Sequence, residues 1–214
     1  MRSEKENVFL NIKLQEIFEN LLLNIGFEET KVALLWSGLV KIYSVKSRYY
    51  HNFTHLEEMI SLYQIYKSNL KFPDEVLYSI FYHDCIYKVT KKDNELKSAD
   101  YALSILPLDT KLNKELVFDM ILATQHHKHN DIEDINWLID FDLKIVSKDW
   151  EDYKTYYKQI RKEYKIYPNF LYKSGRKKVL EHFLEHDFIY QTEIFRNQFE
   201  NKARINIKKE IELL

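Results

Sequence analysis

The 214-residue chain carries 32 basic and 33 acidic residues, a formal net charge of −1, with both signs mixed along its length. That balance argues against a protein that grips duplex nucleic acid by its phosphates, which shows a basic excess. Three glycines and three prolines are too few for a turn-rich β fold, the single cysteine, Cys85, excludes an intrachain disulfide and suits a reducing cytoplasm, and no run approaches the roughly 20 apolar residues of a membrane span.

The opening "MRSEKENVFLNIKLQEI" has acids and amides among its apolar positions, unlike a secretion signal. "VFLNIKLQEIFENLLLNIGF" repeats apolar residues at three and four, which predicts a helix, and Gly26 suits its C-terminal cap. "EETKVALLWSGLVKIY" predicts a second helix with Trp36, Leu39, Val40 and Tyr43 on one side. A third is expected from about Asn52 to Asn69. Pro73 and Asp74 open a fourth, expected to end near Lys88.

The polar break "KVTKKDNE" leads into a fifth helix, "LKSADYALSIL", and "KELVFDMILATQHH" predicts a sixth. Beyond "KHNDIED", helices are expected over "INWLIDFDLKIVS", "WEDYKTYYKQIRKEYKIY", "SGRKKVLEHFLE" and "EIFRNQFENKARINIKKEIELL". The reading is roughly ten helices, boundaries good to about 2–4 residues. It gives an all-α chain without repeats or low-complexity linkers, expected to form one domain over 1–214 with extra helices at its C-terminal end.

Within "SIFYHDCIYK", His83 and Asp84 stand side by side in a segment otherwise built for burial. His51 and His55 lie four apart in "RYYHNFTHLEEM" and share a face if that stretch is helical. "LIDFDLKIV" places Asp140 and Asp142 in another apolar segment. A bare carboxylate in a core costs several kcal/mol, and a divalent ion held by these groups removes the cost. Nitrogen and oxygen donors suit Mn, Fe, Co, Ni, Zn or Mg. Two histidines and two aspartates leave positions for water, as a catalytic site requires. Each piece alone has an ordinary explanation: a surface histidine pair, a chance dipeptide, a capping aspartate. The ordered combination is what points to a metal.

His55, His83-Asp84 and Asp142 resemble the motif that names the HD superfamily of metal-dependent phosphohydrolases. The segments "RYYHNFTHLEEM", "FYHDCIYKVTKKDNELKSA", "ILATQHH", "LIDFDLKIV", "IRKEY", "GRKKVL" and "ARINIKKEI" are similar, in order and spacing, to the bacterial family described as predicted metal-dependent HD-superfamily phosphohydrolases, from about Trp36 to the C-terminus. The resemblance implies an HD-domain helical bundle with a metal-site core over about 36–146 and a C-terminal helical extension over about 147–214. It also implies hydrolysis of phosphoester or phosphoanhydride bonds.

The ligands it implies are His55, His83, Asp84 and Asp142. Asp142 is preferred over Asp140 because "FDL" resembles the superfamily's "ADL", although Phe141 stands where a small residue is usual. "YHNFTH" is also similar to the "YHN..H" segment of the cyclic-nucleotide phosphodiesterases, which casts His55 as a ligand and His51 as the acid that protonates the leaving oxygen.

Further expectations follow. Arg48, one turn before His51, suits a phosphate oxygen. Glu95, in "DNELKSA", orients the attacking water or belongs to a helix start. Lys92, His127 and Arg176 are candidates for substrate contact, with an ion pair that locks helices as the other reading of Arg176, and Cys85 reads as packing. The expected function is a metal-dependent phosphohydrolase acting on a small phosphorylated molecule, a nucleotide first among them, with a non-catalytic metal- or nucleotide-binding module of the same fold as the alternative. The oligomeric state is open.

Overall fold

The computed structural model describes the backbone over residues 4–214 and side chains over 12–214. It is all-helical, with ten α-helices and no strand among the described residues. No described helix is long and apolar enough to cross a membrane. The chain divides into two compact units, 1–126 and 127–214. The boundary falls before the expected core–extension junction, so Asp142 belongs to the second unit.

The first unit holds α1 (Glu4–Asn24), α2 (Glu29–Tyr43), α3 (Phe53–Tyr66) with a 3-10 turn at Lys67–Asn69, α4 (Pro73–Tyr82), α5 (Asn94–Ile105) and α6 (Lys114–Ala123). Gly26 ends α1 as the sequence predicts. Its φ is +107°, the amide of Phe27 reaches Leu22 O at 2.9 Å, and its own amide reaches Leu23 O at 3.3 Å, which is the Schellman pattern.

Helix α4 is the axis of the unit and packs against α1, α3, α5 and α6. Partners on so many sides explain why every residue from Glu75 to Tyr82 is buried, a pattern for a core helix rather than an amphipathic one. Pro73 opens it and Asp74 and Glu75 occupy its first turn, which suits the helix dipole. The carboxylate of Glu75 also accepts from the Asn113 amide at 3.0 Å, joining the start of α4 to that of α6. Around the far end, Phe18 meets Phe81 edge-on at 5.0 Å and Trp36 at 5.5 Å. Full burial of a side chain such as Phe81 contributes about 1.5–3 kcal/mol.

The second unit holds α7 (Glu133–Leu143), a 3-10 turn at Lys144–Ser147, α8 (Trp150–Glu163), α9 (Asn169–Glu185) and α10 (Glu193–Leu213). Helix α7 is buried from Asp134 to Phe141. Helix α10 crosses the 3-10 turn, with Asn206 Nδ2 donating to Val146 O at 3.0 Å and Lys148 O at 2.8 Å. Trp137, Phe141 and Phe195 form an aromatic cluster with centroids about 6 Å apart.

Candidate metal centre

Two helix boundaries shape the site, one that differs from expectation and one that matches it to within a residue. Helix α4 stops at Tyr82 rather than near Lys88, so His83 is its C-cap and Asp84 lies in the turn beyond. Helix α3 begins at Phe53, capped by Asn52, whose Oδ1 accepts from the Thr54 amide at 2.9 Å. His51 therefore precedes the helix that carries His55, and the shared helical face does not exist.

The expected ligands of the first unit come together. Donor atoms of His55, His83 and Asp84 all lie within 4.8 Å of one another, an arrangement that could hold a metal ion. His83 Nε2 is 3.3 Å from His55 Nε2 and 3.3 Å from Asp84 Oδ2. Both histidines are 2 % exposed.

The other ring nitrogen of His83, Nδ1, is 2.9 Å from Ile80 O. A carbonyl can only accept, so Nδ1 donates to it, and Nε2 is the nitrogen that faces the cluster. The backbone hydrogen bond on the far nitrogen is also how a metal-ligating histidine is held. Bonds of about 2.0–2.2 Å to a Zn-sized ion put neighbouring donors about 3.0–3.5 Å apart, and the two 3.3 Å separations fit that spacing. The residues present fit a divalent cation.

Asp84 Oδ2 also lies 4.0 Å from His51 Nε2. The His51 ring is held between Tyr50, edge-on at 4.9 Å, and Tyr87, tilted by 33° at 4.3 Å. Arg48 does not reach outward. Its Nη1 donates to Asp84 O at 2.8 Å and His51 O at 3.2 Å, and its Nη2 donates to Cys85 O at 3.2 Å.

The segment after Asp84 is fastened to α5 by two side chains four apart. Ser98 Oγ accepts from the Ile86 amide at 3.0 Å and donates to Ile86 O at 3.3 Å. Asn94 accepts from the Lys88 amide at 3.0 Å and donates to Lys88 O at 3.0 Å. These contacts take up groups that a continued α4 would have used, which explains its early end. Sequence reading did not single out Asn94 or Tyr87. The i, i+4 spacing of Asn94 and Ser98 was the available signal.

Glu95 is half-buried on the first turn of α5, and its Oε2 receives Gln125 Nε2 at 3.4 Å; the same nitrogen donates to Lys92 O at 2.7 Å. Lys92 itself is exposed. Cys85 is 3 % exposed, and burial pushes its thiol up to about 12, which makes it a packing residue as expected and a poor nucleophile.

In the second unit, Asp142 Oδ2 is 3.1 Å from His127 Nε2. His127 has a φ of +52°, uncommon without glycine, and its carbonyl accepts from Gln191 Nε2 at 3.0 Å. Asp140 serves structure instead. It is 0 % exposed and accepts from the Gln191 amide at 2.6 Å, the Thr192 amide at 2.8 Å and Thr192 Oγ1 at 2.6 Å. Burial pushes its carboxyl up to about 7, against those three donors. Arg176 makes a two-pronged pair with Glu210, at 2.8 and 3.0 Å, and Tyr153 Oη donates to the same carboxylate at 2.6 Å. That is the helix-locking reading of Arg176.

No known protein-family model, curated protein or solved structure matches the chain.

Proposed function

We propose that this chain is a metal-dependent phosphohydrolase of the HD type, acting on a small phosphorylated molecule, with nucleotides as the first substrates to test. One observation carries the metal half of the reading: His83, its Nδ1 tied to Ile80 O, directs Nε2 to 3.3 Å from both His55 Nε2 and Asp84 Oδ2. The phosphohydrolase half is supported by the sequence resemblance and by His51, whose Nε2 lies 4.0 Å from Asp84 Oδ2. That is near enough to serve a group bound at the cluster.

His55, His83 and Asp84 would hold the cation. When bound, the cation supplies positive charge that polarises a phosphoryl oxygen and makes water more acidic. The chain's own residues do the rest. His83 and His55 present their Nε2 atoms from buried positions. His51, kept in place by Tyr50 and Tyr87, holds a proton at Nε2 for the departing oxygen. Glu95, with Gln125 beside it, is the acceptor that would orient a water molecule.

The test is direct. The purified chain is stripped of metal, reloaded with Mn²⁺, Co²⁺ or Zn²⁺, and assayed against nucleoside mono-, di- and triphosphates for released phosphate and pyrophosphate. Metal-dependent release that disappears in His83→Gln is the expected result. Tight nucleotide binding without turnover under any metal would instead favour the non-catalytic module.

A further inference from the structure

We infer that Arg48 is a positioning residue that fixes the proton donor His51 and the ligand Asp84 in one frame, and is not the phosphate anchor its place in the sequence suggests. The inference rests on the metal reading above and deepens it. Its terminal nitrogens bond inward to three backbone carbonyls, one belonging to His51 and two to the turn that bears Asp84. The guanidinium carbon lies 5.1 Å from the ring centre of Tyr43 and 5.3 Å from that of Tyr87. Tyr43 is buried on α2 and its hydroxyl donates to Phe81 O at 3.0 Å. Tyr87 is the ring tilted against His51 at 4.3 Å.

The chemistry of the guanidinium suits this task. A planar cation with several donors can serve converging carbonyls and stack on aromatic faces at once, which a lysine ammonium cannot do. The carbonyls of Asp84 and Cys85 lie in the turn after α4 has ended, and Arg48 donates to both. Arg48 itself is anchored, because its amide donates to Val45 O at 2.9 Å. Asn52, the cap of the helix bearing His55, also donates from Nδ2 to Tyr49 O at 2.9 Å. Arg48 thus joins the loop before α3 to the turn after α4. Ser98 and Asn94 hold the same turn from the other side through Ile86 and Lys88. A phosphate that took the Nη1 hydrogens would break the bonds to Asp84 O and His51 O that set the site.

The experiment titrates Co²⁺ into the metal-free full chain, wild type against Arg48→Lys and Arg48→Gln. It reads affinity by calorimetry and ligand geometry by the Co²⁺ absorption bands, and then measures kcat and KM at saturating metal. The expected result is a loss of Co²⁺ affinity of about 10–100-fold, the size seen when groups supporting metal ligands are removed. Altered absorption bands, lower kcat and an unchanged KM complete the expected pattern. Should Arg48→Gln fail to fold, Arg48→Lys keeps the charge on a single donor nitrogen and reads the same constants. Wild-type affinity and bands together with a raised KM would overturn the inference and restore the phosphate anchor. A wild-type chain that takes up no Co²⁺ would overturn the metal reading itself, a result distinguishable from the first because it needs no variant.

Discussion

The Nε2 atoms of His55 and His83 face each other across 3.3 Å, one ring from the first turn of α3 and the other from the C-cap of α4. With Nδ1 of His83 engaged by Ile80 O, Nε2 is the nitrogen left to face His55 and Asp84. A cation held between these three groups binds the folded chain and not the unfolded one, so binding should stabilise the fold. A ligand at 100 times its dissociation constant adds about 2.7 kcal/mol. The expected outcome is a rise in Tm when Zn²⁺ or Mn²⁺ is added to the metal-free chain, reversed by chelator, and absent in His83→Gln and Asp84→Asn. Asp142→Asn in the same titration examines the fourth ligand expected from sequence. An unchanged Tm in the wild type would count against the centre.

Cys85 sits beside the metal-ligand candidate Asp84, yet its thiol should be silent. It is 3 % exposed and raised to about 12 by burial, so almost none is thiolate at pH 8, and thiolate is the reactive form. A disulfide reagent at that pH should leave the native chain unmodified and label one thiol per chain in denaturant. Prompt labelling of the native chain would show the turn after α4 to be open.

How much of this was legible in the sequence differs from element to element. Helix α1 with its glycine terminus was readable because Gly26 and the apolar period are local signals that agree. The end of α4 was not. Ile86 and Tyr87 continue the apolar pattern past Tyr82, so periodicity carries the helix to Lys88, whereas Ser98 and Asn94, remote in sequence, supply the backbone partners that stop it. The three ligand candidates of the first unit were readable by residue type, but their support was not. Arg48 looked like an anion-binding residue, and nothing local in sequence shows that its Nη1 and Nη2 reach backbone carbonyls instead. The start of α3 was readable to within one residue, because Asn52 ahead of Phe53 is a recognisable N-cap.

Asp140 makes a prediction with a definite sign in pH. Its carboxyl is raised from the ordinary aspartate range to about 7 by burial, so the folded chain binds this proton more tightly than the unfolded one. Its contribution to stability is complete below about pH 4 and is lost as pH rises toward 7, with a slope of up to about 1.4 kcal/mol per pH unit. Urea unfolding between pH 5 and 8 should show this decline, and Asp140→Asn should flatten it. Asp140→Ala leaves the Gln191 and Thr192 amides without their acceptor and should cost about 2–5 kcal/mol at any pH in that range. Equal slopes in wild type and Asp140→Asn would contradict the assignment.

Glu210 is 1 % exposed and takes bonds from Arg176 and from Tyr153. Removing one partner of such a pair strands the other charge, so Glu210→Ala should destabilise the chain by about 3–5 kcal/mol. Replacing both members, as in Arg176→Met with Glu210→Leu, should cost much less, because no buried charge is left unpaired. A double-mutant cycle in denaturant measures the difference. Additive losses would mean that the pair is not coupled and that Arg176 has another partner.

His51 provides the sharpest separation of chemistry from binding. On the proposed function it protonates the leaving oxygen, and its value depends on how badly that oxygen needs the proton. For an alkyl or ribose leaving group, a positioned acid contributes about 10²–10⁴-fold, so His51→Gln should lower kcat by that order. For a p-nitrophenyl ester the leaving phenolate is already stable at neutral pH, so the same variant should lose little. Because His51 is not among the three atoms grouped as ligands, Co²⁺ affinity should stay at the wild-type value in both cases. An equal loss for the two leaving groups would assign His51 to positioning, and a loss of Co²⁺ affinity would make it a ligand.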